Sequence, residues 1–174
     1  DLIIATRMRD TAFKRSLKKI PLGTELFLDA PWGELVLDED TRIPAVFLTG
    51  GIGITPVRSI VLQATREKLP QKLVLFDSPR HLQDAPFLDE FTQAAKENPN
   101  FLFIPTMTKL DDNSPSWKGE PGPIDKRILH RHLDDLATPI YYISGPPEMV
   151  SAMQKMLKDA GVKAANVRAE EFSG

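Results

Sequence analysis

The chain has 174 residues, 41% of them hydrophobic and 26% charged, which is the balance of a folded globular protein and excludes disorder or a fibrous repeat. A net charge of −2 gives no electrostatic footprint for nucleic acid or an anionic membrane. The absence of cysteine removes disulfides, thiolate metal sites, iron–sulfur ligation and a cysteine nucleophile together, and it fits a cytoplasmic location.

The chain opens on Asp1-Leu2-Ile3-Ile4, without an initiator Met, a basic n-region or a cleavage site. It reads as beginning inside a strand, so a segment upstream is expected. Residues 2–6 and Glu25-Leu26-Phe27-Leu28 are predicted strands. Between them, Ala12 to Ile20 is a predicted helix with Phe13, Leu17 and Ile20 on one face. Pro31-Trp32-Gly33 marks a tight connection, and residues 38–42 form a charged linker.

From residue 43 the pattern alternates. Strands are predicted at Ala45–Leu48, Leu73–Phe76, Phe101–Ile104 and Ile140–Ile143. Helices are predicted from Pro56 to Lys68, from Pro86 to Glu97, around Ile128-Leu129 and from Pro147 to Ala160, with a polar loop at 111–123 and a short tail at 169–172. The longest uncharged run, about residues 43–57, is interrupted by Gly and Pro and is too short to span a membrane. Near-continuous apolar strands between amphipathic helices imply an α/β fold. The expected architecture is a doubly wound, Rossmann-like parallel sheet of order 3-2-1-4-5.

Three strand ends carry the chemistry. The first is Thr49-Gly50-Gly51-Ile52-Gly53-Ile54-Thr55-Pro56. Glycines after the first strand let the backbone approach a phosphate, and Thr55 and Pro56 suit a helix N-cap and first turn whose free N–H groups attract an anion. The dinucleotide fingerprint is only partly matched, because Pro56 stands where its third glycine would be. A tight turn without ligand is the alternative. The second is Ser144-Gly145-Pro146-Pro147-Glu148-Met149, either a plain helix start or the opposite wall of the same crevice. The third is Asp77-Ser78-Pro79-Arg80, where Asp77 suits ribose hydroxyls and Ser78 with Arg80 suits a 2′-phosphate.

The remaining candidates are plainer. His81, His130 and His132 read as surface residues, and no metal-ligand cluster is expected. Met149, Met153 and Met156 read as core. Lys14, Arg15, Lys18 and Lys19 read as a solvated helix face, ahead of a diphosphate neighbour or an acidic-partner patch. No G-x-S-x-G, H-E-x-x-H or G-K-[ST] occurs, which disfavours hydrolase, zincin and P-loop chemistry.

TGGIGITP, SGPPEMV and the terminal Glu170-Glu171-Phe172 together resemble the ferredoxin–NADP reductase superfamily, most closely the compact bacterial FAD/NAD(P)-binding oxidoreductases. The resemblance covers essentially the whole chain. It implies that residues 1–40 are the trailing part of an antiparallel FAD-binding β-barrel and residues 41–174 the NAD(P)-binding domain. It places NAD(P)H against Gly50, Gly51, Gly53, Thr55, Pro56, Ser78, Arg80, Ser144, Gly145, Pro146, Pro147 and Met149. It places FAD, in the complete protein, against Arg7, Ala12, Phe13, Lys14 and Phe172. Thr55 and Glu171 would stand nearest the reacting flavin–nicotinamide junction.

The activity implied is hydride transfer from NAD(P)H to FAD, followed by electron release to an acceptor such as a ferredoxin. An isolated NAD(P)-binding module is the alternative. The barrel half that carries the family's R-x-[YF]-[ST] flavin motif is not in this sequence. Where relatives tend to have Tyr-Ser-Asn-Arg, this chain has Asp77-Ser78-Pro79-Arg80, and Ser144 stands where many have Cys.

Overall fold

The structure, a computed structural model, describes residues 4–6, 8–29, 33, 35–81, 83, 85–109 and 117–172. Six parallel strands form one sheet in the order β4-β3-β2-β1-β5-β6. They are β1 Ala45–Thr49, β2 Leu73–Asp77, β3 Phe101–Met107, β4 Glu120–Pro121, β5 Ile140–Gly145 and β6 Val167–Glu171. The helices are α1 Ala12–Lys19, α2 Ile54–Glu67, α3 Leu88–Glu97, α4 Lys126–His132 and α5 Pro147–Asp159.

Every residue of β1, β2 and β5 is buried, which is why these strands read as unbroken apolar runs. Their side chains alternate between two cores. Val46, Leu48, Val74, Phe76, Tyr141 and Ile143 pack with Ile128 and Leu129 of α4 and Val150, Met153 and Leu157 of α5. Ala45, Phe47, Leu73, Leu75, Ile140 and Tyr142 pack with Ile54, Val57, Val61 and Ala64 of α2 and Phe91 and Ala94 of α3.

The predicted order 3-2-1-4-5 is present as β3-β2-β1-β5-β6, with β4 added at the outer edge of β3. The chain winds outward from β1 through β2 to β3, then crosses back to β5 on the other side of β1. The carboxyl ends of β1 and β5 therefore flank the switch point, where the outgoing loops diverge and leave a crevice.

Several boundaries differ from the sequence reading. The tail is a strand, β6, because residues 167–171 find backbone partners along β5. The expected polar loop contains the short β4, paired with Thr106 and Met107; residues 110–116 lie outside the described ones. Helix α2 begins at Ile54 rather than Pro56, and Gly53 is its N-cap residue in place of Thr55. Helix α3 begins at Leu88 because Phe87 takes φ 63, a left-handed conformation that breaks the helix behind it.

The first forty residues differ most. Helix α1 forms as predicted, capped by Thr11, whose side chain accepts from the Lys14 N–H. The predicted strands do not form among the described residues: 4–6 and 24–29 have no regular structure, and Leu2 and Ile3 lie outside them. Leu26, Phe27 and Leu28 are 64%, 97% and 49% exposed. A strand holds its shape through a neighbour that takes its N–H and C=O groups, and no described residue pairs with this segment.

Candidate functional site: a crevice at the carboxyl ends of the central strands

At the switch point a crevice of about 580 Å³ is lined by Gly50, Gly51, Ile52, Ser78, Pro79, Arg80, Thr108, Pro146, Pro147, Met149 and Phe172, among others. The three strand ends singled out from the sequence thus converge on one space. A larger groove of about 930 Å³ runs between α2 and α3 toward the amino ends of the strands. It gathers neither glycine loop, and in an α/β sheet the carboxyl ends are where ligands sit.

The two glycine loops are bonded to each other. The Gly50 N–H donates to the Ser144 carbonyl at 3.1 Å, and the Gly53 N–H closes the turn onto the Gly50 carbonyl at 3.2 Å. A Cβ on Gly53 would run into the Ser144 carbonyl and the Gly145 nitrogen, so this glycine is required for the loops to touch. Gly51 serves a different purpose. It has φ +59, and apart from its chain neighbours no atom of the described residues lies within 4 Å of where its Cβ would be, so that face of the loop is open.

Helices α2 and α5 both start at this crevice, with Gly53 and Pro146 at their N-caps and no side-chain cap on either. By contrast, α1 is capped by Thr11 and α4 by Asp125. A 3-10 turn at Gly51–Gly53 leads into α2 and gives the Ile54 N–H to the Ile52 carbonyl, whereas at the start of α5 the N–H groups of Glu148 and Met149 have no side-chain cap, and the helix dipoles favour an anion there. Thr55 sits in the first turn of α2, half-buried, and its hydroxyl donates to the Ile52 carbonyl at 3.0 Å. It braces the loop rather than facing the crevice.

Ser144 is fully buried at the end of β5, and its hydroxyl has no hydrogen-bond partner among the described residues. Asp77, offered by the sequence as a receptor for ribose hydroxyls, is only 3% exposed. Its carboxylate accepts the Thr49 hydroxyl at 2.8 Å, and burial pushes its pKa up to about 7. The acid is thus committed to Thr49 at the strand ends and does not line the crevice, which leaves half-buried Ser78 and exposed Arg80 there.

At the other end, Phe172 donates its N–H to the Gly145 carbonyl at 2.9 Å and lines the crevice, while Glu171 is exposed and paired in register with Gly145. Arg9, absent from the sequence reading, also lines the crevice, as do Ile52 and Thr108. Ile52 lies within the glycine motif, while Arg9 and Thr108 stand outside all three strand-end motifs, and nothing local reveals which side chains turn inward. Of the residues implied for the flavin, Arg7 lies outside the described ones. Ala12 and Phe13 are exposed on α1, and Lys14, half-buried, is bonded to Thr6.

The other candidates fall largely as read. Met153 is buried, and Met149 and Met156 pack on the core. Arg15 pairs with Asp10, in keeping with a solvated basic face on α1. His130 is exposed, but His132 departs from a surface role. It is half-buried, 2.7 Å from Glu120 and edge-on to Phe76. Among the described residues no group of three or more His, Cys, Asp or Glu could hold a metal ion, and no helix is long and apolar enough to cross a membrane.

Residues 47–155 match the family of oxidoreductase NAD-binding domains. A 158-residue stretch is 34% identical to a component of the Na(+)-translocating NADH-quinone reductase of Klebsiella pneumoniae, covering 87% of this chain and 38% of that protein. The chain therefore spans well under half the length of the curated relatives it matches. Among solved structures it resembles the flavohemoglobin of Malassezia yamatoensis with bound FAD and heme, at TM-score 0.70 and 27% identity over 82% of this chain and 36% of that one. The cytochrome b5 reductase domain of Ulva prolifera nitrate reductase shares the fold, with TM-score 0.78 and 19% identity over 92% of this chain and 64% of that one. A parallel sheet with its switch point at two mutually bonded glycine loops, together with the match across 47–155, places this chain in the family of oxidoreductase NAD-binding domains.

Proposed function

We propose that the chain is the pyridine-nucleotide half of an NAD(P)H-dependent flavoprotein reductase, and that its crevice holds the dinucleotide between residues 50–53 and 145–149. The observation that carries this is the Gly50–Ile52 turn that leads into α2 and the side-chain-uncapped start of α5, which face one crevice beside the open side of Gly51. Their N–H groups would receive the pyrophosphate. Ser78 and Arg80 stand at the end of β2, where the adenosine ribose of a dinucleotide lies, and supply a hydroxyl and a guanidinium there.

Held at residues 50–53 and 145–149, a nicotinamide dinucleotide would supply hydride chemistry toward an FAD held jointly with residues upstream of the sheet, with electrons then available to an acceptor such as a ferredoxin. This chain's residues bind, orient and exclude water. Pro146 and Pro147 fix one wall, Thr55 braces the loop beneath it, and Phe172 closes the end near which Glu171 stands. Residues 1–40 belong to the flavin-binding part in this reading, and residues 41–174 form the nucleotide-binding part.

Titration of the full chain with NADH and NADPH tests the proposal. Saturable binding of either supports it, and no binding at millimolar nucleotide overturns it.

A further inference from the structure

Among the described residues Asp77 is the carboxylate buried in the core, and its place is specific. It ends β2 directly opposite Thr49, which ends β1. Thr49 leads into the loop at 50–53 and Asp77 into the loop at 78–80. The two strand ends are laced together. The Thr49 hydroxyl donates to Asp77 Oδ1 at 2.8 Å, and the Ser78 N–H donates to the Thr49 carbonyl at 2.9 Å. A Cβ on Gly50 would stand 3.8 Å from the Ser78 carbonyl.

We propose that Asp77 is a positioning residue that ties these two loops together and takes up a proton when a pyridine dinucleotide binds above them. This rests on the proposed function. In the sheet Asp77 is flanked by Thr49 and Pro105, neither of them charged. Over this face α2 and α3 set Arg58 and Glu90, which are paired with each other at 2.5 Å, and Arg58 also lies over the Phe87 ring. On the following loops Arg80 and Lys109 are exposed and His81 is half-buried. Burial raises the carboxyl's pKa against the pull of the Thr49 hydroxyl and the Ser78 N–H, so its charge changes near neutrality. A pyrophosphate brought to the loops above adds negative charge that an ionised carboxylate in a dry site repels. The bound state therefore favours protonated Asp77, and by linkage affinity falls as pH rises through the neutral range.

The test is calorimetric titration of the full chain with NADH from pH 6.5 to 8.5, repeated in buffers of different ionisation enthalpy, on the wild type and Asp77→Asn. The pyrophosphate of NADH stays fully ionised throughout. The wild type should take up a fraction of a proton and lose affinity by about tenfold or less per pH unit. In Asp77→Asn, folded by circular dichroism, uptake and slope should shrink together. Thr49→Val, which removes a hydrogen bond to the ionised form, should move the profile to higher pH. Equal pH dependence in wild type and Asp77→Asn, or an unmoved profile in Thr49→Val, overturns the inference alone. Absence of NADH binding in the wild type overturns the proposed function and this inference with it.

Discussion

Arg168 on β6 reaches Asp38 at 2.5 Å across the edge of the sheet, joining the last strand to the segment that precedes the first. The same guanidinium donates to the Val36 carbonyl at 2.6 Å and the Tyr142 hydroxyl at 3.3 Å, and it lies 5.3 Å from the centre of the Tyr142 ring. Tyr142 in turn accepts the Asp38 N–H at 2.9 Å, and Glu170 accepts the Leu35 N–H at 3.1 Å. Leu35 and Asp38, early in the chain, are thus held by residues 135 and 130 positions later.

Arg168→Ala should loosen this attachment without disturbing the sheet. The pair is partly solvated, so the expected loss is about 1 kcal/mol, a fall of a few degrees in Tm. A double-mutant cycle with Asp38→Ala should show coupling of about 0.5–1 kcal/mol. Limited proteolysis should cut the 33–40 segment faster in the variant. Additive single effects with unchanged cleavage would show that the contact holds nothing.

Gly53 and Gly51 should respond differently to the same methyl group. At Gly53 it meets the backbone of Ser144 and Gly145, which cannot turn aside. Gly53→Ala should therefore cost about 2–3 kcal/mol, in the range of overpacking a dense core. Gly51→Ala meets no atom and carries only the strain of a left-handed conformation, about 1 kcal/mol. Urea midpoints of the two variants should fall in that order; the reverse order would mean that the loops do not press together there.

Asp77 also makes stability depend on pH. Its folded pKa, about 7, lies above the unfolded value of a free aspartate, so the folded state binds the extra proton between about pH 4 and 7. This contribution is largest at the acid end and is lost as pH rises through that window, at most about 4 kcal/mol for a shift of some three units. Asp77→Asn should flatten the stability–pH curve over this range, read by chemical denaturation at several pH values. A curve parallel to the wild type's would show that the carboxyl titrates normally.

How much was legible depended on where the partners of each group lie. Val46-Phe47-Leu48 and Tyr141-Tyr142-Ile143 announced central strands because a strand buried on both faces must be apolar throughout. Gly50, Gly51 and Gly53 announced a turn because glycine is costly without a reason. The direction of Asp77 was not legible. Its bond to Thr49 spans 28 positions, and one step along the strand reverses which face a side chain meets. Strand β6 was not legible as a strand, since Val167 to Glu171 carries charged side chains and gains its shape from β5. The strand signal of Leu26-Phe27-Leu28 was a true local preference that no described neighbour completes.

The most direct measurement of the central claim is the dissociation constant of NADH for the full chain, by quenching or enhancement of nicotinamide fluorescence, in the wild type and in folded Gly51→Val. The valine would project into the open face of the loop, beside the uncapped start of α2. Saturable binding by the wild type, weakened about tenfold or more in the variant, is the predicted result, equal to a loss of about 1.4 kcal/mol or more. Equal affinity in the two proteins would contradict the placement of the dinucleotide in this crevice.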